Sequence, residues 1–106
     1  MGYNLTRTEI NDIDSYCKSR CKKLINEFIK STVIYCRGQY KGYMYGIKVT
    51  SYLITKNIKM SHIQLYKQIK GEKNRVHNIY IKDFDFARGI QDSLYDLMNY
   101  VSSIKR

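Results

Sequence analysis

Ile10, Ile13, Cys17, Cys21, Leu24 and Phe28 recur at spacings of three and four residues, which places them on one side of a helix. Thr6-Arg7-Thr8-Glu9 stands just before this stripe and has the form of a capping box, so the helix is predicted to start there and to end near Ser31. Acids in its first turns and Lys22, Lys23 and Lys30 later complement the helix dipole. The pattern then changes. Thr32-Val33-Ile34-Tyr35-Cys36 and the run from Tyr43 to Val49 are β-branched and aromatic, with Gly38 and Gly42 between them, and predict a strand or a hairpin. From Val49 to Arg75 two short helical patterns meet at Asn57-Ile58-Lys59-Met60-Ser61, and Gly71 is expected to stop the second. In Val76 to Lys82, Ile79 and Ile81 alternate with polar neighbours as in a half-buried strand. Ile90, Leu94, Leu97, Met98, Val101 and Ile104 then line one face of a last helix, which Asp83 or Asp85 can cap.

A chain of 106 residues with 43% apolar residues and no proline reads as one folded domain, residues 1–106, of the α+β class. Charge adds the first functional pointer. The net charge is +10, and Lys18 to Lys82 holds fifteen Lys and Arg against only Glu27 and Glu72, about +13, while both ends are slightly acidic. Self-repulsion of that size points to a polyanionic partner, and the middle of the chain is where its binding face is expected. There is no run of eighteen apolar residues and no apolar block near Met1, so the protein is expected in the cytoplasm, off the membrane.

The central stretch has the layout of a helix-turn-helix reader of DNA. With Lys59 at the turn position, Ile54, Ile58, Met60 and Leu65 fall on buried positions and Ser61 caps the second helix; Asn57 can supply the positive φ in a register two residues earlier. Ser61, His62, Ile63, Gln64, Tyr66, Lys67 and Lys70 then point outward, as base and phosphate contacts of a helix in a major groove. The basic turn Gly71 to Arg75 and the strand after it extend the pattern. Here the chain resembles the winged helix-turn-helix family, which implies a long first helix, a helix-turn-helix, a basic β wing and a C-terminal helix. The same resemblance implies wing contacts at Lys70, Lys73, Asn74, Arg75 and His77. Secondary phosphate contacts are expected at Lys18, Arg20, Lys22, Lys23, Arg37, Lys41 and Lys48.

In length, charge and layout the chain is also similar to the small accessory DNA-binding proteins of plasmids and phages, among them the TcpK-type relaxosome proteins of clostridial conjugative plasmids. That implies sequence-specific binding of double-stranded DNA, in conjugation at an origin of transfer, in repression or in plasmid segregation. The apolar perimeter of the last helix, Leu94, Leu97, Met98 and Val101, is expected to close the core or to form a homodimer interface. Two other classes compete: a mobile-element inhibitor that binds a host protein or an RNA complex, and a single-strand or RNA binder that stacks bases on Tyr35, Tyr40, Tyr43 and Tyr45.

No enzyme is predicted. His62 and His77 lack neighbouring acids, the glycines form no phosphate cradle, and Gly42 to Gly46 resembles the start of a GIY-YIG nuclease without its catalytic Arg and Glu. Cys17 and Cys21 lie on the apolar stripe, so no metal, other cofactor or small-molecule substrate is expected.

Overall fold

The capping box forms as read: the Thr6 amide donates to Glu9 Oε1 at 2.8 Å and the Glu9 amide to Thr6 Oγ1 at 3.1 Å. Helix α1 (Arg7–Lys30) starts behind it and buries Ile10, Ile13, Cys17, Cys21 and Leu24. The computed structural model describes residues 3–30, 34–79 and 84–104. Three further helices follow, α2 (Ile34–Thr55), α3 (His62–Ile79) and α4 (Phe84–Ser102). Helix α4 lies against both α2 and α3, and α1 covers α2.

The fold is therefore all-α, and the expected α+β winged helix-turn-helix is corrected. Among the described residues there is no strand, only an isolated bridge between Asn4 and Ser61. Tyr43 to Val49, expected as a strand, lies inside α2, and Val76 lies inside α3. The expected strand residues Thr32, Val33 and 80–82 lie outside the described residues. Strand propensity lost to packing at helical period. On α2 the buried residues are Cys36, Gly38, Gly42, Tyr43, Gly46, Val49, Thr50 and Leu53, and on α3 Leu65, Ile69 and Val76, a pattern dominated by intervals of three, four and seven that a strand cannot place on one side.

The glycines of α2 set how closely it meets its neighbours. A β-carbon on Gly38 would overlap the Phe86 carbonyl oxygen and come within 3.0 Å of the Ile90 nitrogen. One on Gly89 of α4 would overlap the Tyr35 carbonyl oxygen and lie 2.9 Å from the Gln39 nitrogen. Backbone meets backbone at this crossing, so no side-chain movement can make room. One turn on, a β-carbon on Gly42 would strike the Ser93 side chain, and on Gly46 it would sit 2.6 Å from Cys17 Sγ. Gly38, Gly42 and Gly46 are thus the closely packed side of a helix, where the sequence reading took Gly38 and Gly42 for punctuation.

Helix α2 ends in a Schellman motif. Asn57 takes φ 52°, its amide donates to the Ile54 carbonyl at 3.3 Å, and the Ile58 amide donates to the Leu53 carbonyl at 3.0 Å. The earlier of the two turn registers is therefore the one formed, with Asn57 and not Lys59 at the positive φ. Ser61 and Gln64 make a second capping box, with the Ser61 amide donating to Gln64 Oε1 at 2.8 Å and the Gln64 amide to Ser61 Oγ at 3.2 Å. Just before it, the Leu5 amide donates to the Met60 carbonyl at 2.7 Å, tying the segment ahead of α1 to the start of α3. Helix α3 then runs straight through Gly71, because Leu65 and Ile69 on one side and Val76 on the other are all held in the core.

The described helices share one hydrophobic core. Leu94, Leu97 and Val101 are 0% exposed and Met98 is 4% exposed, so the residues considered for a dimer interface are spent inside the protomer. Burying a side chain such as Leu94 or Leu97 contributes about 2 to 3 kcal/mol each.

Two glycine substitutions should act in opposite directions. Gly38→Ala is expected to destabilise by about 1 to 3 kcal/mol, since overlap with backbone outweighs the gain in helix propensity. Gly71→Ala, where nothing lies within 4 Å of a β-carbon, should stabilise by about 0.5 to 1 kcal/mol. Urea melts of both variants against the parent chain check the two signs.

Candidate nucleic-acid interface

Helix α3 has two contrasting sides. Leu65, Ile69 and Val76 face the core, while Ile63, Lys67, Lys70 and Asn74 follow at spacings of four, three and four and are exposed. His77 and Asn78 continue this outward line. Helix α3 is roughly 27 Å long at 1.5 Å per residue, and the polar line from Lys67 to Asn78 takes up roughly 16 Å of it.

The structure separates the ten residues expected to touch DNA into two groups. Lys67, Lys70, Asn74 and His77 come together on the outward line. The others are placed elsewhere. Ser61 is buried and caps the helix, and the Gln64 carbonyl is engaged in the same cap. Tyr66 packs against the core, His62 and Lys73 are half-buried, and Arg75 turns toward Glu72, to which its Nε and Nη2 donate at 2.8 and 2.7 Å. Lys73, Asn74, Arg75 and His77 sit within α3 and not at a β-hairpin tip, so the wing contacts are corrected to positions on a helix. Asn78 was missed; it stands four residues after Asn74, a spacing that has meaning only once the helix is seen to continue.

Charge is sorted between the helices. From Ile34 to Ile79 there are nine Lys and Arg against Glu72 alone, and α2 holds no acid, whereas α4 carries Asp85, Asp92 and Asp96 against Arg88. The secondary cations differ in their surroundings. On α1, Lys18 Nζ is 2.8 Å from Asp14 Oδ2 and Arg20 donates to the Tyr16 hydroxyl, while Lys22 and Lys23 are exposed. On α2, Arg37, Lys41 and Lys48 are exposed, and the Lys41 ammonium lies 5.6 Å from the centre of the Phe86 ring.

Beside α3, a cleft of about 740 Å³ opens between α2 and α3, with α4 beneath. Met44, Ile47, Val76, Ile90 and Leu94 form its apolar lining. Lys41, Lys48 and Lys56 from the α2 side and Arg75 from α3 stand around it. Arg75, bonded to the Glu72 carboxyl, holds it below its ordinary range, and the charges of Lys41 and Lys48 act in the same direction. Lys56 and the cleft itself were not anticipated. Reading α2 as a helix is what brings Lys41, Lys48 and Thr55 onto one side at intervals of seven.

A polar knot joins α1, α2 and α4 at the other end of the charge distribution. Asp96 Oδ2 accepts from the Tyr16 hydroxyl at 2.7 Å and from the Tyr43 hydroxyl at 2.6 Å, and Tyr16 stacks on Tyr100 with ring centres 4.1 Å apart. Burial, then the Asp96 hydrogen bond, raises both phenols above their ordinary value of 10.0. Tyr35 donates to Asp92 Oδ2 at 2.6 Å, and this bond pushes its phenol up to about 12. Of the tyrosines considered for base stacking, Tyr35 and Tyr43 are thus tied to α4, with Tyr43 only 6% exposed, and Tyr40 and Tyr45 are partly buried against the core. Cys17, Cys21 and Cys36 are buried, and burial pushes the Cys17 thiol up to about 12. Among the described residues no cluster of His, Cys, Asp and Glu is arranged to hold a metal ion, and no helix is long and apolar enough to cross a membrane. No family model, curated protein or solved structure matches the chain.

Raised phenol pKa values mean that the folded chain keeps protons that the unfolded chain gives up near pH 10. Their stabilisation is complete below about pH 10 and is lost as pH rises through the folded values. Thermal melts should therefore fall across the alkaline range, with late-ionising tyrosines visible in the tyrosinate absorbance. Tyr43→Phe should cost about 1 to 2 kcal/mol at neutral pH and make the alkaline fall shallower.

Proposed function

We propose that the protein binds double-stranded DNA through the outward face of α3, acting as a binding protein and not as an enzyme. The observation that carries this reading is the single polar line Lys67, Lys70, Asn74, His77 and Asn78 on a helix whose half of the chain holds nine cations and one acid. Lysine at positions 67 and 70 supplies affinity for phosphate, and the two asparagines offer paired donors and acceptors to base edges. Acids gathered on α4 set the opposite sign on another helix and orient the molecule as it approaches a polyanion. An accessory role on plasmid or phage DNA, including at an origin of transfer, is the setting that the resemblance in length and charge implies for such a face. Sites for repression or segregation would be read by the same residues.

Titration with duplex DNA, single-stranded DNA and RNA across a salt series tests the proposal. The double substitution Lys67→Glu with Lys70→Glu should weaken duplex binding by about tenfold or more at low salt and make the log–log salt slope shallower by about 2. Asn74→Ala should change preference among duplex sequences more than overall affinity. Tighter binding to single strands than to duplex, or a double variant that binds like the parent, would overturn the assignment.

A further inference from the structure

The cleft between α2 and α3 is a second surface, separate from the outward line of α3. Along α2 it runs from Lys41 to Thr55, roughly 21 Å at 1.5 Å per residue, so its occupant is elongated. Its surface is mostly apolar, and two large side chains at its edge, Met44 and Tyr52, are 41% and 55% exposed. Cations are spread along that whole length, with Lys41 near one end, Lys48 in the middle and Lys56 at the other. The one acid in the lining, Glu72, is already held by two guanidinium nitrogens of Arg75, Nε and Nη2. Among the described residues neither Lys48 nor Lys56 is in an ion pair.

We propose that this cleft receives an acidic amphipathic helix of a partner protein. An apolar stripe at spacings of three and four would cover Met44, Ile47 and Tyr52, and carboxylates beside that stripe would meet Lys41, Lys48 and Lys56. Other occupants fit less of the site. A fatty acid brings one negative group to one end and leaves the remaining cations unmatched. A bare phosphate chain matches the cations and leaves the apolar surface of Met44, Ile47 and Tyr52 against charge. A second copy of this chain carries a net charge of +10 against a basic rim. Filling the cleft with a helix from another protein, while the outward line of α3 faces DNA, would make the molecule a bridge between the two.

The probe is a lactam-stapled peptide of about 16 residues, roughly 24 Å of helix, with leucine on one stripe and glutamate elsewhere. Binding to the full chain is followed by amide chemical shifts and by fluorescence anisotropy. The expected result is micromolar binding with shifts at the cleft residues. Lysine in place of every glutamate should weaken it by at least about tenfold, and so should Met44→Asp or Lys48→Glu. Both substitutions are at exposed positions, so the variants should melt like the parent, and Met44→Asp should leave duplex binding unchanged. Equal binding of the charge-reversed peptide, shifts away from the cleft, or cleft shifts larger with palmitate or a single-stranded oligonucleotide would overturn the proposal. Loss of peptide binding in Met44→Asp with duplex binding intact separates this surface from that of α3.

Discussion

The approach of α2 to α4 at Gly38 and Gly89 is the constraint on which the other helices depend. At that crossing each glycine faces backbone atoms of the other helix, so the distance is fixed by main chain and not by adjustable side chains. Four residues on, Gly42 accepts the Ser93 side chain, and four further Gly46 accepts Cys17 of α1 and Leu97 of α4. One glycine row therefore positions α2 against two partners at once. Its cost is low helix propensity, about 1 kcal/mol for each glycine in a helix interior, offset by the contacts that close approach permits.

With α2 fixed on α4, the polar knot gains its geometry. Asp96 projects from α4 to a point reached by Tyr16 of α1 and Tyr43 of α2, and a single carboxylate oxygen accepts both hydroxyls. Thr50 adds a second tie, its hydroxyl 3.2 Å from Asp14 Oδ1 of α1 while also within reach of the Gly46 and Ile47 carbonyls. These acids are thereby used inside the fold on the α1 and α4 side. The α2 and α3 side is left with its cations, among which Arg75 is paired with Glu72. Charge segregation here follows from where hydrogen-bond acceptors were needed to join helices.

The first helix, its capping box, the buried stripe and the apolar face of the last helix were legible in the sequence because each is a local, strongly periodic signal. Ser61 as a cap and Asn57 as a residue suited to positive φ were legible for the same reason. What was not legible was α2. Its tyrosines, isoleucine and valine favour strands by propensity, and glycine is ordinarily a breaker, so the two local signals agreed on the wrong element. The decisive signal was the interval of four between Gly38, Gly42 and Gly46, which has meaning only when another helix lies against it. The wing failed in turn, since Gly71 in an open position interrupts nothing when Ile69 and Val76 on either side of it are both buried in the core.

Removing the wing redistributes the basic residues around a helix. On a hairpin, Lys73 to Arg75 would have projected together at one tip. On a helix, successive residues turn by 100°, so Asn74 joins Lys67 and Lys70 outside, Lys73 is drawn toward the core, and Arg75 enters the cleft beside Glu72. One basic run is thus divided between two surfaces. The outward surface is polar, whereas the cleft combines cations with an apolar lining. The helical phase of α3 spreads a single charged segment over two surfaces of different character.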